Sequence, residues 1–184
     1  MREIASKGQL RLALLRWAMV TVPLVLLLGF LSARSVAVGS ANPWYAALAK
    51  PGLTPPDWVF PIAWSILYVL LGVALAMVIH ARGSALRGPA LVAFGVQLAL
   101  NLAWTPLFFG MHKVNGALIL IVAMFASALL TAWLFGRIRA AAAALMLPYL
   151  AWICFAGYLT YSIGVLNPDA ETLVPGATST QIIN

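Results

Sequence analysis

Charge is scarce in this chain. Of 184 residues only 8% are Asp, Glu, Lys or Arg, the acids number 4, and histidine occurs twice. No charged residue falls in the central part of any long apolar run. Proton relays and ion-coupled pumps need ionisable groups at that depth, so active transport is disfavoured. Cysteine occurs once, and a lone Cys154 closes no internal disulfide and founds no thiolate metal site; ordinary helix packing is its expected role. His80 and His112 stand at the ends of apolar runs, where interfacial packing is the expected role. Nothing resembles a hydrolase triad, a Walker loop or a metal cluster. The basic residues are scattered over short connections rather than clustered with aromatics, which argues against nucleic acid as a partner. There is no internal repeat, and the period-two alternation of an outer-membrane barrel is missing.

What remains is hydrocarbon. The chain is 64% hydrophobic with a mean hydropathy of +1.00, a composition whose solvent is mostly lipid. Charged residues and histidines fence off runs between Arg16 and Arg34, Asp57 and His80, Arg87 and His112, Lys113 and Arg137, and Arg139 and Asp169. A bilayer core about 30 Å thick needs roughly 20 helical residues, so each run is able to cross once. The fold class expected is an all-α integral membrane protein, a five-transmembrane-helix bundle. Its spans lie near residues 14–36, 58–80, 88–110, 114–136 and 140–165, within one membrane domain over residues 1–168. Residues 169–184 are polar, contain Pro175 and Gly176, and read as a disordered tail.

With five spans, one side carries Arg2, Lys7, Arg11, Arg16, Arg82, Arg87, Arg137 and Arg139, and the other only Arg34, Lys50 and Lys113. The positive-inside bias puts the N-terminus in the cytoplasm, the C-terminus on the opposite side, and favours an inner membrane. The first span also fits a secretory signal, with basic residues, an apolar run and then SARSVAVGSA. Its apolar run exceeds the usual 7 to 15 residues of such signals, so a retained helix is the reading adopted.

Two features point to a site. The connection NPWYAALAKPGLTPPDW (Asn42 to Trp58) is long, and Pro55 and Pro56 stiffen it just before the second span. It reads either as an interfacial anchor or as a lid over a cavity, with Trp44, Lys50, Pro51, Pro55 and Pro56 as lid residues. Trp17, Trp44 and Trp133 fit equally well as interfacial belt residues. The third span, QLALNLAWTPLFFG (Gln97 to Gly110), holds the only side-chain amides in the central part of any span. At about 100° per residue, Gln97, Asn101 and Trp104 share one face. They either tie helices together or contact a ligand. Gly95, Ala99 and Ala103 form a small-residue stripe on nearly the opposite face, suited to close helix approach by a neighbouring span or a second copy. Trp64 and Tyr68 on the second span, and Tyr149, Trp152 and Ala156 on the fifth, offer matching faces. Aromatic walls with a few directed polar groups are the usual lining of a ligand pocket. Pro61, Pro106 and Pro148 lie near span ends, where a missing helix hydrogen bond costs least.

The segments WYAALAKP (Trp44 to Pro51), PPDWVFPIAWSILY (Pro55 to Tyr68), QLALNLAWTPLFFG and PYLAWICFA (Pro148 to Ala156) resemble the TspO/MBR family, in order and over residues 40 to 167. The resemblance implies a five-helix bundle, commonly a homodimer, whose cavity is closed by the first loop. It implies binding of porphyrins such as protoporphyrin IX and haem, of sterols or related lipids in some members, and of benzodiazepine-type ligands. No cofactor is required on this reading; porphyrin or haem is the ligand, and the role is to sense or regulate tetrapyrroles. Light-dependent porphyrin breakdown and facilitated transport of tetrapyrrole or sterol are the alternatives. By resemblance, Trp64, Tyr68, Gln97, Asn101, Trp104, Phe108, Tyr149, Trp152 and Ala156 bind ligand. Trp64 and Trp152 would be the catalytic pair if breakdown occurs, and the Gly95, Ala99 and Ala103 stripe would be the dimer face. Two departures stand out. Leu53 occupies the position of a lid tryptophan, and Tyr161 has no Lys or Arg in its next five residues, which breaks the proposed sterol motif.

Overall fold

The computed structural model describes residues 7–81 and 83–173, with side chains from Leu12 onward. Arg2 and Arg82 of the topology argument, the side chains of Lys7 and Arg11, and tail residues 174–184 lie outside what is described. Every regular element among the described residues is a helix, with no strand. Five helical segments are long and apolar enough to cross a membrane. The first is α1 (Lys7–Arg34). A short turn at Gly39–Ala41 and the five-residue helix α2 (Pro43–Ala47) follow in the first loop. Next come α3 (Val59–His80), α4 (Arg87–Thr105) and α5 (Val114–Ile138). The fifth span is two pieces, α6 (Ala140–Ala144) and α7 (Leu147–Leu166).

Large apolar side chains such as Leu27, Val92, Ile119, Val122 and Val165 lie exposed on the outer surface. In lipid such exposure carries no hydrophobic cost, and helix association depends instead on close packing and interhelical hydrogen bonds. Both are visible between α1 and α3. Gly72 has no side chain, and a Cβ there would come within 2.6 Å of the Val22 Cα. Across the same contact, the Thr21 hydroxyl donates to the Gly72 carbonyl at 2.8 Å. Higher on the pair, a Cβ on Gly29 would overlap the Tyr68 ring, so this glycine is what lets that ring lie against α1.

Two prolines reshape the helices they enter. Pro106 ends the α-helical part of α4 and begins a π-helical turn, Pro106–Gly110. Having no N–H, it leaves the Leu102 carbonyl without its usual partner. Ser32 on α1 satisfies that carbonyl instead, its hydroxyl donating at 2.6 Å. In the fifth span, Pro148 sits in the first turn of α7 and a turn at Leu145–Met146 interrupts the helix. The continuous span expected over 140–165 is therefore broken where proline removes a donor and crowds the carbonyl four residues earlier.

Beyond the end of α7, the described residues 167–173 turn back onto the bundle. Ala170 is buried, and Glu171 accepts from the Asn115 N–H at 3.0 Å and from Lys113 Nζ at 3.4 Å. This segment caps the start of α5, where a carboxylate is favoured by the unpaired N–H groups.

Candidate functional site

Inside the bundle is a cavity of about 290 Å³, lined from all five spans and from the first loop. α3 contributes Phe60, Trp64 and Tyr68, and α4 with its π-helical turn contributes Asn101, Trp104, Phe108 and Phe109. α7 contributes Trp152 and Ala156, α5 supplies Ile121 and Met124, and α1 supplies Gly29 and Phe30. The aromatic rings form connected walls. Trp64 stacks on Tyr68 with centroids 5.3 Å apart, and Trp104 stacks on Phe108 at 4.9 Å. Phe60 meets Trp152 edge to face at 6.0 Å. The π-helical turn has a role here, because the widened spacing after Pro106 carries Phe108 and Phe109 around to the Trp104 wall.

Deep in the lining, Tyr68 and Asn101 form a hydrogen-bonded pair, with Asp57, Thr105 and Thr160 among the other polar side chains around the space. The Tyr68 hydroxyl donates to Asn101 Oδ1 at 2.9 Å, and Asn101 Nδ2 donates onward to Met124 Sδ at 3.5 Å. Sulfur is a weak acceptor, so the Asn101 amide keeps donor capacity for something better. Gln97 and Tyr149, both expected to bind ligand, do not line the cavity. Each is fully buried, and neither the Gln97 amide nor the Tyr149 hydroxyl has a protein partner among the described residues. Tyr149 lies behind the wall, edge-on to Trp64 at 6.3 Å.

The first loop closes one end. Trp44 is not a belt residue. It is 1% exposed, stacked on His112 with centroids 4.5 Å apart, and its Nε1 donates to the Ala170 carbonyl at 2.7 Å. Tyr45, one residue on, lines the cavity. Two asparagine amides hold the loop down, and neither stood out in the sequence beyond being polar. Asn42 Oδ1 accepts from the Tyr45 N–H at 3.1 Å, and its Nδ2 donates to the Ala37 and Phe109 carbonyls at 2.9 and 3.0 Å. Asn167, at the end of α7, accepts from the Ala49 N–H at 2.8 Å and donates to the Ala49 carbonyl at 2.9 Å. Lys50, Pro51, Pro55 and Pro56 belong to the loop but not to the lining. Lys50 folds back, with Nζ 4.6 Å from the Tyr45 ring centroid and 3.1 Å from the Leu48 carbonyl. Leu53, where a lid tryptophan was expected by resemblance, is 66% exposed and touches none of this.

Asp57 stands at the mouth. Its Oδ2 accepts from the Ser40 N–H at 2.7 Å, and hydrogen bonds from Ser40 hold the carboxyl below its usual range. Tyr45 is shifted upward, first by burial and then by the nearby Asp57 charge. The Gly95, Ala99 and Ala103 stripe faces away from the cavity, exposed along the outside of α4, and a Cβ on Gly95 would meet nothing within 4 Å. Trp17 and Trp133 are exposed on the bundle surface. A second depression, of about 520 Å³, lies toward the N-terminal end of α4 between Trp17, Ile79, Gly83, Arg87 and Leu91. It is a wide surface hollow without the aromatic walls or the amide of the internal cavity.

Five apolar helices agree with the comparisons by sequence. The TspO/MBR family model matches residues 19–166. A tryptophan-rich protein TspO from Chlorobaculum tepidum is 40% identical over 129 residues, covering 70% of this chain and 82% of that protein. The protein CrtK of Rhodobacter capsulatus is 38% identical over 138 residues, covering 74% and 86%. The translocator protein of Sus scrofa is 40% identical over 138 residues, covering 73% and 80%. The chain is a multi-pass integral membrane protein and belongs to the TspO/MBR family.

Proposed function

We propose that this protein is a membrane receptor or sensor that binds porphyrins, such as protoporphyrin IX and haem, in the internal cavity and thereby regulates tetrapyrrole levels. The observation that carries the reading is the lining itself. Trp64, Trp104 and Trp152 surround one space, and the Tyr68–Asn101 pair is the directed polar group within it. Flat aromatic ligands gain both apolar burial and ring contacts from such walls. The relatives' names, tryptophan-rich protein and translocator protein, fit a role in recognising or moving a hydrophobic ligand. The N-terminus is assigned to the cytoplasm and the protein to an inner membrane on the charge bias of the loops. Homodimerisation is assigned to the exposed Gly95, Ala99 and Ala103 stripe, where a second helix is able to approach closely.

The test is a titration of the purified protein in nanodiscs with protoporphyrin IX, following tryptophan quenching. A Trp64→Phe, Trp152→Phe double variant is expected to bind about tenfold more weakly, each lost indole contact being worth roughly 0.5–1.5 kcal/mol. Unchanged affinity in the double variant would remove this placement. A second reading, light-dependent breakdown of the porphyrin, is favoured by one observation: both indoles line the same cavity, within reach of a bound pigment. Equal bleaching rates for wild type and double variant, each saturated with pigment and illuminated, would refute it.

A further inference from the structure

We propose that the hollow at the N-terminal end of α4 binds one anionic phospholipid, its phosphate on Arg87 and its glycerol and upper acyl chains against Trp17, Ile79 and Leu91. The site is separate from the internal cavity and does not depend on what that cavity binds. It arises from how three helices meet. α1 and α3 are drawn together at Val22 and Gly72, where the missing side chain lets the backbones approach and the Thr21 hydroxyl bonds across. About one to two turns beyond that contact, Trp17 on α1 and Ile79 on α3 stand on two sides of a gap, and Arg87 and Leu91 on α4 form the third. The chain reverses from α3 to α4 through Gly83, whose φ of +93 is left-handed and suits glycine. A Cβ there would meet nothing within 4 Å, so this edge of the hollow stays open. At about 520 Å³ the space falls within the range of roughly 300–1,000 Å³ that holds a drug-sized group.

The lining divides as a phospholipid does. Trp17, Ile79 and Leu91 are apolar, and an indole near the end of a span sits by preference at headgroup depth. Arg87 is the first residue of α4, so its cation stands where the span ends and where the helix dipole is positive.

That cation has no carboxylate near it. The described acids, Asp57, Asp169 and Glu171, all lie at the lid end of the bundle, whereas Arg16, Arg87, Arg137 and Arg139 share the other end. The ion pair found among the described residues, Lys113 with Glu171, also belongs to the lid end. Arg137 rests on the Trp133 ring, and Arg16 and Arg139 are exposed. Arg87 is half-buried and stands beside an apolar hollow. A phosphodiester supplies the missing charge, and a guanidinium recognises it through two parallel hydrogen bonds. Acyl chains account for the apolar walls, which a soluble anion would leave unused. Basic pockets between spans bind anionic headgroups on the same physical ground.

The experiment follows binding of dioleoyl phosphatidylglycerol and dioleoyl phosphatidylcholine to the full chain in neutral detergent by native mass spectrometry. The readout is the ratio of Kd for the zwitterionic lipid to Kd for the anionic one, so that any general loss of binding or folding cancels. Wild type is expected to favour the anionic lipid at least about fivefold, the factor one basic residue contributes near an anionic lipid. Arg87→Gln should bring the ratio to within about twofold of unity. Arg87→Lys should keep most of the preference, since an ammonium also binds phosphate. Arg139→Gln removes a charge from the same end but not from the hollow, and should leave the ratio unchanged. Millimolar glycerol 3-phosphate should not displace the bound lipid. A wild-type ratio near unity, a ratio unaffected by Arg87→Gln, or equal losses in Arg87→Gln and Arg139→Gln would overturn the proposal. Displacement by glycerol 3-phosphate would overturn it in favour of a soluble anion.

Discussion

Removing the Asn167 amide should loosen the lid without unfolding the bundle. In Asn167→Ala the loop loses two hydrogen bonds at one residue, the 2.8 Å bond from the Ala49 N–H and the 2.9 Å bond to the Ala49 carbonyl. Each is worth about 0.5–1.5 kcal/mol net, and both are partly solvated, so the pair contributes about 1–2 kcal/mol to closure. That corresponds to a rise in the open population of roughly 5- to 30-fold. The lid would remain attached, because Trp44 still donates to the Ala170 carbonyl and Asn42 still holds the Phe109 carbonyl. Amide hydrogen exchange in nanodiscs checks this. Exchange at Ala46, Leu48 and Ala49 should accelerate by about that factor, since local opening is measured independently of global unfolding. Amides in the middle of α5 should keep their wild-type rates. Lid amides exchanging within twofold of wild type would show that Asn167 does not hold the loop.

Further outcomes follow from the helix contacts and from Glu171. Gly72→Ala should destabilise the bundle by about 1–3 kcal/mol, the usual cost of overpacking, because its Cβ would press within 2.6 Å of the Val22 backbone. Gly95→Ala should leave stability unchanged, its Cβ meeting nothing. On the proposed dimer face, Gly95→Leu should lower energy transfer between labelled copies in a bilayer relative to wild type, and equal transfer would remove the stripe as that face. Equal unfolding midpoints for Gly72→Ala and Gly95→Ala in a denaturing-detergent titration would contradict this assignment of contacts. Glu171 provides a pH dependence. The Asn115 N–H first, and then Lys113, hold its carboxyl below the ordinary value of 4.5. A depressed folded-state value means the stabilisation is fully present above the unfolded value and is lost as pH falls through the folded value. Protection factors at Ala170 and Thr172, corrected for the intrinsic pH dependence of exchange, should therefore fall on acidification below about 4.5 in wild type, and Glu171→Gln should flatten that dependence. An identical pH profile in the variant would rule the carboxylate out as the cause.

The five spans were legible because charge is so rare that each charged residue marks a boundary. Val59–His80 and Val114–Ile138 begin within a residue or two of their fences. The irregularities were harder to read. The stretch AAAAALML contains strong helix formers, yet the helix breaks at Leu145–Met146, because Pro148 acts on the turn before it. Pro106 was equally visible. That it would start a π-helical turn, and that Ser32 on a distant helix would take up the freed Leu102 carbonyl, depends on where α1 comes to rest. The lid shows the same division. Its composition marked it as a candidate, but Trp44 fitted a membrane belt as well as a lid, and its partner Ala170 lies 126 residues away.

For the site, periodicity supplied direction around a helix but not depth along it. Gln97 and Asn101 share a face of α4, yet four residues at 1.5 Å each place them about 6 Å apart along the axis. The cavity ends between them. Met124 and Tyr68 meet Asn101 and leave its amide at the edge of open space, whereas Gln97 is sealed at 0% exposure. Tyr149 is excluded similarly, lying behind the Trp64 ring that does line the space. The missing information was long-range. Asp57 was the opposite case, treated in the sequence only as the fence before the second span. Its hydrogen bond to Ser40 and its packing on Gly39 bring it to the mouth. A residue that ends an apolar run sits by that fact where lipid gives way to water. At a cavity opening to the same surface, it is also where an apolar lining gains its charged member.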